Sequence, residues 1–156
     1  MSEKQVAFHK SEIGVLKITG SEAGIHSVEF WDEPAALTTK VSPCLETCIQ
    51  QLDEYFDGKR QHFSLQLEPE GTDFQKTVWN ELLKIPFGKT VAYMDIAKAL
   101  GKEKAIRAVG AANGKNRIPI IIPCHRVIGS DGSLTGFGGG LWRKEFLLKH
   151  EKVFLL

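Results

Sequence analysis

The chain has 156 residues, enough for one good-sized core or for two small lobes. With 42% hydrophobic and 25% charged residues it has the composition of an ordinary globular protein, which excludes a disordered or fibrous chain. The opening MSEKQVAFHK lacks the apolar run of a signal peptide, no apolar stretch is long enough to span a bilayer, and three cysteines are an odd number for a closed disulfide framework. The expectation is a cytoplasmic, intracellular protein with reduced thiols and no membrane association. The net charge of +1 hides a division: residues 1–70 carry six Lys/Arg against twelve Asp/Glu, residues 71–156 fourteen against seven. An acidic half beside a basic half suggests a polyanionic partner for the C-terminal part.

Val6-Ala7-Phe8, Val15-Leu16-Lys17-Ile18 and 25–30 alternate as strands do and are separated by Ser-Glu and glycine turns, which predicts an antiparallel meander. Ser42-Pro43 is a helix start, with a capping side chain followed by proline. From there Leu45, Cys48, Ile49, Leu52, Tyr55 and Phe56 recur at three and four, and Gly58 can end the helix. The two-residue period of 62–67 predicts a further strand. Glu68-Pro69-Glu70-Gly71 is the lobe boundary, where turn residues meet the charge shift. Thr72-Asp73-Phe74-Gln75 forms a capping box for a helix carrying Phe74, Val78 and Leu82, which stops at Ile85-Pro86-Phe87-Gly88. Helical segments near 94–100 and 103–112, hinged at Gly101, have the pattern of a helix-turn-helix. An apolar run, 118–123, leads to Cys124; a glycine-rich loop, 129–140, and a last helix with Trp142, Phe146 and Leu147 follow. The reading is a mixed α/β (α+β) fold, with a β-sheet and helix lobe over 1–70 and a mostly helical lobe over 71–156.

Cys124 follows an apolar run, where a cysteine is ordinarily an inert small hydrophobe. Pro123 restricts the backbone before it, and His125 and Arg126 set basic groups beside the thiol, which favours the thiolate. Neighbours on an extended strand point to opposite faces, so His125 reaches the sulfur only if the chain turns or a water bridges them. On these residues alone a reactive and a structural cysteine both stay open. Cys44 and Cys48 lie on an otherwise Leu and Ile helix face and read as core.

Ile121-Ile122-Pro123-Cys124-His125-Arg126-Val127-Ile128 closely resembles the active-site signature of the O6-alkylguanine-DNA alkyltransferases, the methylated-DNA–protein-cysteine methyltransferases. The resemblance continues through Val91-Ala92-Tyr93, Arg107-Ala108-Val109-Gly110, Asn116, the glycine loop and Lys144-Glu145-Phe146-Leu147-Leu148 to Glu151, covering roughly 72–151. The first seventy residues match in length and pattern only. The resemblance implies a single-turnover DNA-repair enzyme in which Cys124 accepts the alkyl group, His125 takes its proton through a water, Glu151 orients and charge-balances the histidine, and Asn116 braces the turn before the cysteine strand. A soft thiolate suits attack on an sp³ carbon, and a thioether product has no facile leaving group, so each molecule acts once.

An O6 atom in a stacked base cannot meet a cysteine behind a strand, so the nucleotide must flip out. By resemblance Arg107 fills the vacated stack, Tyr93 crowds the target phosphate and touches the base, and Ala108 and Gly110 belong to a helix face small enough to approach the minor groove. Arg126 is carried with these DNA and substrate contacts. Val127 would offer its carbonyl to the guanine amine, and the backbone near Gly138 would face O6. Phe137 stands where many relatives have tyrosine, so the apolar wall is kept and a hydroxyl is lost. Some relatives hold zinc with cysteines near the N-terminus; here Cys44 is the earliest, and His9, His26 and His62 are not a sufficient set, so no metal and no cofactor are expected. The expected partner is double-stranded DNA containing O6-alkylguanine, met by a monomer. Two other classes stand beside this one. A lesion-recognition module would flip and hold alkylguanine without the cysteine, which is present here. A Cys-His-Glu thiol hydrolase gives no reason for the helix-turn-helix or Arg107.

Overall fold

A computed structural model describes residues 3–153. Its residue contacts divide the chain into two units, Met1–Glu70 and Gly71–Leu156.

In the first unit, alternation of apolar and polar residues produces three strands: β1 (Gln5–Ser11), β2 (Gly14–Ser21) and β3 (Gly24–Trp31). They pair antiparallel in the order β1-β2-β3, with Ala7 opposite Ile18 and Ile18 opposite Val28. These three side chains share one buried face, as a two-residue period demands. Helix α1 (Pro43–Phe56) completes the core with Leu45, Cys48, Leu52, Tyr55 and Phe56. Ser42 occupies the N-cap with proline after it, but its hydroxyl donates to Gln5 Oε1 at 3.0 Å instead of capping the helix. Ile49 is half-buried, whereas Gln51 is buried, exchanging hydrogen bonds with the Ser64 backbone.

The strand expected over 62–67 does not form. One parallel bridge, Ile25 to Leu67, is all that pairs there. Ile25 N donates to Gln66 O and Glu68 N to Ile25 O, and Pro69, which lacks an N–H, follows at once. The bridge requires Gly24: a Cβ there would stand 2.6 Å from the Gln66 carbonyl oxygen.

The second unit opens with α2 (Asp73–Leu82), whose capping box is present: Gln75 N donates to Thr72 Oγ1 and Thr72 N to Gln75 Oε1. Val78, Trp79 and Leu82 are its buried face. Strand β4 (Val91–Ala92) runs into α3 (Tyr93–Ala99), where Ala92 N donates to Asp95 Oδ2 at 2.8 Å. At the end of α3, Gly101 takes φ +67°, and its N–H and that of Lys102 close on the Lys98 and Ala97 carbonyls. This pair of bonds stops the helix and turns the chain. A 3-10 turn (Glu103–Ala105) and α4 (Ile106–Gly114) follow, completing the helix-turn-helix. Strand β5 (Val127–Ile128) pairs parallel with β4, and α5 (Leu141–His150) is the last element among the described residues. Its buried face is Arg143, Lys144, Leu147 and Leu148; Trp142, expected with the apolar residues, is 55% exposed and stacks on the Arg143 guanidinium. Among the described residues no helix is long and apolar enough to cross a membrane.

Candidate active site

The run 118–123 is not a strand. It folds as buried turns, and a 3-10 helix (Cys124–Arg126) carries the cysteine. Asn116 governs the geometry: its Oδ1 accepts from Ile118 N at 3.0 Å and its Nδ2 donates to the Ile122 carbonyl at 2.7 Å. Both ends of the turn are therefore fixed by one side chain. At its middle Ile120 has φ +74°, a left-handed conformation that a β-branched residue adopts only when its surroundings force it. Five consecutive apolar positions, 118–122, can turn here because the turn is buried on every side. Asn113, buried on α4, donates from Nδ2 to the Cys124 carbonyl at 3.4 Å.

The helical turn fans the three side chains around its axis, where a strand would set neighbours on opposite faces. Cys124, His125 and Arg126 are all buried. His125 Nε2 meets Glu151 Oε2 at 2.7 Å. Arg126 grips the same carboxylate from the other side, Nε to Oε1 at 2.8 Å and an Nη to Oε2 at 3.0 Å, and its other Nη donates to the Ile85 carbonyl at 2.7 Å. Gly88 N also donates to Oε1. Arg126 was expected among the DNA contacts and instead lies inside, 6% exposed, because a buried carboxylate needs a bidentate cation more than the surface does. Glu151 reaches this place as the C-cap of α5, where the Lys152 and Val153 N–H groups close on the Lys149 and Leu148 carbonyls.

Burial would raise the Glu151 pKa, but its hydrogen bonds and charge contacts with His125 and Arg126 outweigh that and hold it below the ordinary carboxylate range. Burial pushes His125 below its ordinary value despite Glu151, so the imidazole is neutral at neutral pH. With Nε2–H donating to Glu151, Nδ1 is the basic nitrogen, and it is buried without a hydrogen-bond partner.

Basic neighbours in sequence were expected to favour the Cys124 thiolate. Burial instead pushes the thiol up to about 11, opposed in part by the Asn116 side chain and the Lys144 ammonium. The cation that acts on the sulfur comes from α5, since Arg126 is spent on Glu151. Lys144 is fully buried, its Nζ donating to the Val127 carbonyl at 2.6 Å and the Thr135 carbonyl at 2.8 Å. Burial lowers its pKa to about 8. Cys48 is a useful contrast: burial pushes its thiol up to about 12 and nothing opposes it, so it is core.

A cavity of about 600 Å³ is lined by Tyr93, Ile106, Arg107, Gly110, Gly114, Thr135, Gly136 and Phe137, and the Thr135 carbonyl ties its wall to Lys144. Tyr93 stands at the start of α3, Arg107 and Ala108 are exposed on α4, and Gly110 faces the Tyr93 ring at 3.9 Å from where a Cβ would be. Gly138 is exposed in the loop, close to the Gly114 carbonyl. Val127 is buried on β5. Among the described residues no group of three or more His, Cys, Asp or Glu side chains is placed to hold a metal ion.

Comparison with known proteins fits this geometry. A family profile described as 6-O-methylguanine DNA methyltransferase, DNA binding domain, matches residues 73–153, and one described as the ribonuclease-like domain of the same protein matches 6–69. The chain belongs to the 6-O-methylguanine DNA methyltransferase family. It is 49% identical to the methylated-DNA–protein-cysteine methyltransferase of Methanosarcina barkeri, covering 92% of this chain and 94% of that one. The crystal structure of Mycobacterium tuberculosis O6-methylguanine methyltransferase is similar with a TM-score of 0.86 at 40% identity, over 96% of this chain and 93% of that one. The Mycobacterium tuberculosis protein OGT in complex with DNA matches with a TM-score of 0.84 at 42% identity, over 93% and 91% of the two chains.

In this methyltransferase the fold adds residues to those the motifs nominate. Lys144, Asn113 and Thr135 contact the site through hydrogen bonds to backbone carbonyls or to Tyr93. The spacing of Lys144, Leu147, Leu148 and Glu151 carried a signal: a core-facing stripe at three, four and seven with a charge at each end.

Proposed function

We propose that this chain repairs double-stranded DNA by moving an alkyl group from the O6 atom of guanine to the sulfur of Cys124, once per molecule. The observation that carries this reading is the buried cysteine turn beside a neutral histidine whose Nε2 is tied to an ionised glutamate and whose Nδ1 is uncommitted. The thiol is protonated at rest, so reaction needs a base at the moment of transfer. His125 Nδ1 takes the thiol proton through a bridging water, and Glu151 stabilises the imidazolium that results. The S–C bond forms as the C–O6 bond breaks, and the electron pair passes to the guanine, which ends with the proton the thiol gave up. Arg126 acts through Glu151 and needs no contact with DNA.

Arg107 is exposed on the second helix of the helix-turn-helix, free to enter the stack as the guanine leaves it, and Tyr93 and Phe137 line the cavity that would receive the base. The Val127 carbonyl, which already accepts from Lys144, has a second lone pair for the guanine amine, and the Gly138 backbone faces O6. The exposed Ala108 and the half-buried Gly110 keep α4 thin where it meets the minor groove. The protein works as a monomer in the cytoplasm, without a cofactor.

Duplex carrying isotopically labelled O6-methylguanine tests this. One label per chain should reach Cys124, located by mass spectrometry of the digest, and Cys124→Ser should take none. Label on another residue, released methanol, or unimpaired repair by Cys124→Ser would refute it.

A further inference from the structure

Thr135, in the 129–140 loop, is held at two points that the transfer steps leave unused. Its carbonyl accepts from Lys144 Nζ at 2.8 Å, and the same ammonium binds the Val127 carbonyl at 2.6 Å. Its hydroxyl and the Tyr93 hydroxyl are in hydrogen-bond contact at 2.9 Å. One chain of hydrogen bonds thus runs from the first residue of α3, through the loop, to the strand that follows the cysteine turn. Tyr93 and Thr135 both line the 600 Å³ cavity.

A phenol has one proton to give and lone pairs with which to accept. Left to itself, the Tyr93 hydroxyl could present either to a ligand. When the Thr135 proton fills the bond between them, the phenol keeps its own proton for an acceptor in the cavity. We propose that Thr135 is a positioning residue for alkyl transfer: anchored by Lys144, its hydroxyl makes Tyr93 a donor toward the base. This rests on the transfer reading above. A purine gains electron density at its ring acceptors as the C–O6 bond breaks, so an aimed donor matters more during transfer than during binding. Removing the Thr135 hydroxyl leaves the cavity wall in place but frees the phenol to turn, and the loss falls on rate rather than on affinity.

The test is single-turnover transfer from O6-methylguanine duplex, followed by intact mass, with duplex affinity measured in a Cys124→Ser background so that no transfer intervenes. Thr135→Val should slow transfer by about tenfold, the worth of one net hydrogen bond, with affinity unchanged within about twofold. Thr135→Ser, which keeps the hydroxyl, should restore most of the rate. In a Tyr93→Phe background Thr135→Val should add nothing, because the group it orients is gone. Wild-type rates in Thr135→Val, a matching loss of affinity, a Thr135→Ser variant as slow as Thr135→Val, or an equal slowing on top of Tyr93→Phe would each overturn the proposal. A wild-type chain that takes no methyl would instead remove the reading beneath it.

Discussion

The two units bury different kinds of interior. Among the described residues of the first, the buried polar side chains are Ser21 and Gln51, both neutral, within a core of Ile, Leu, Val and aromatic residues. The second buries Asn113, His125, Arg126, Arg143, Lys144 and Glu151. Taking charges out of water is costly, and a well-packed apolar core is often as stable as a buried ion pair. The second unit therefore carries groups that its stability alone does not require. All but Arg143, which donates to the Gly139 carbonyl, converge on one turn: His125 and Arg126 on Glu151, Lys144 on the carbonyl of Val127, Asn113 on that of Cys124. The contrast places the buried charges in one unit and plain packing in the other.

The sharpest way to break this comparison is Glu151→Gln. It strips the carboxylate from two buried cationic or basic partners, and a buried pair broken from one side costs ~3–5 kcal/mol. The melting temperature should drop steeply and methyl transfer should fall by roughly 100-fold or more, since the base loses the group that balances its charge. An unchanged melting curve would mean that the carboxylate contributes no net stability.

Acid should find the same cluster. The folded pKa of Glu151 is below its ordinary value of 4.5, so its stabilisation is complete above that value and drains away as pH falls through it toward the folded one. The folded pKa of His125 is below 6.5, so the unfolded chain takes that proton first and stability also declines as pH falls below 6.5. The two effects share a sign. Melting temperature measured from pH 7 downward should begin to fall near 6.5 and fall further below 4.5, and Glu151→Gln should flatten the lower part.

A smaller effect is expected from the reaction itself. A methyl on the Cys124 sulfur must fit a site that is 4% exposed and framed by the Asn116 turn, and overpacking such a site costs ~1–3 kcal/mol. The reacted protein should melt lower than the free one; a rise would show that the turn has room to spare. Smallest of all should be Gln51→Leu in the first unit. It leaves the Ser64 N–H and carbonyl without their partner, a loss of about 1 kcal/mol, and methyl transfer should not change.

Much of the framework was legible in the sequence because it depends on near neighbours. The meander, the Thr72–Gln75 capping box and the stop at Gly101 each follow from residues within a few positions of one another. Where legibility failed, a distant partner had intervened. Ser42 gave its hydroxyl to Gln5, thirty-seven residues away, and 62–67, read as a strand from its alternation, pairs at a single bridge. Run 118–123 is the exception, misread for a local reason: it looks extended by composition, yet Asn116, two residues before it, folds it back with two hydrogen bonds.

The sequence by itself nominated Cys124, His125 and Glu151 and predicted the helix pair, since ordered motifs carry residue identity without coordinates. The destination of each charge was decided only in three dimensions. Arg126 turns inward because a carboxylate arrives from the end of α5, twenty-five residues on, and Lys144 reaches the cysteine's surroundings because its helix is seated against that turn. Electrostatic energy depends on distance and burial, and neither can be read from spacing along a chain.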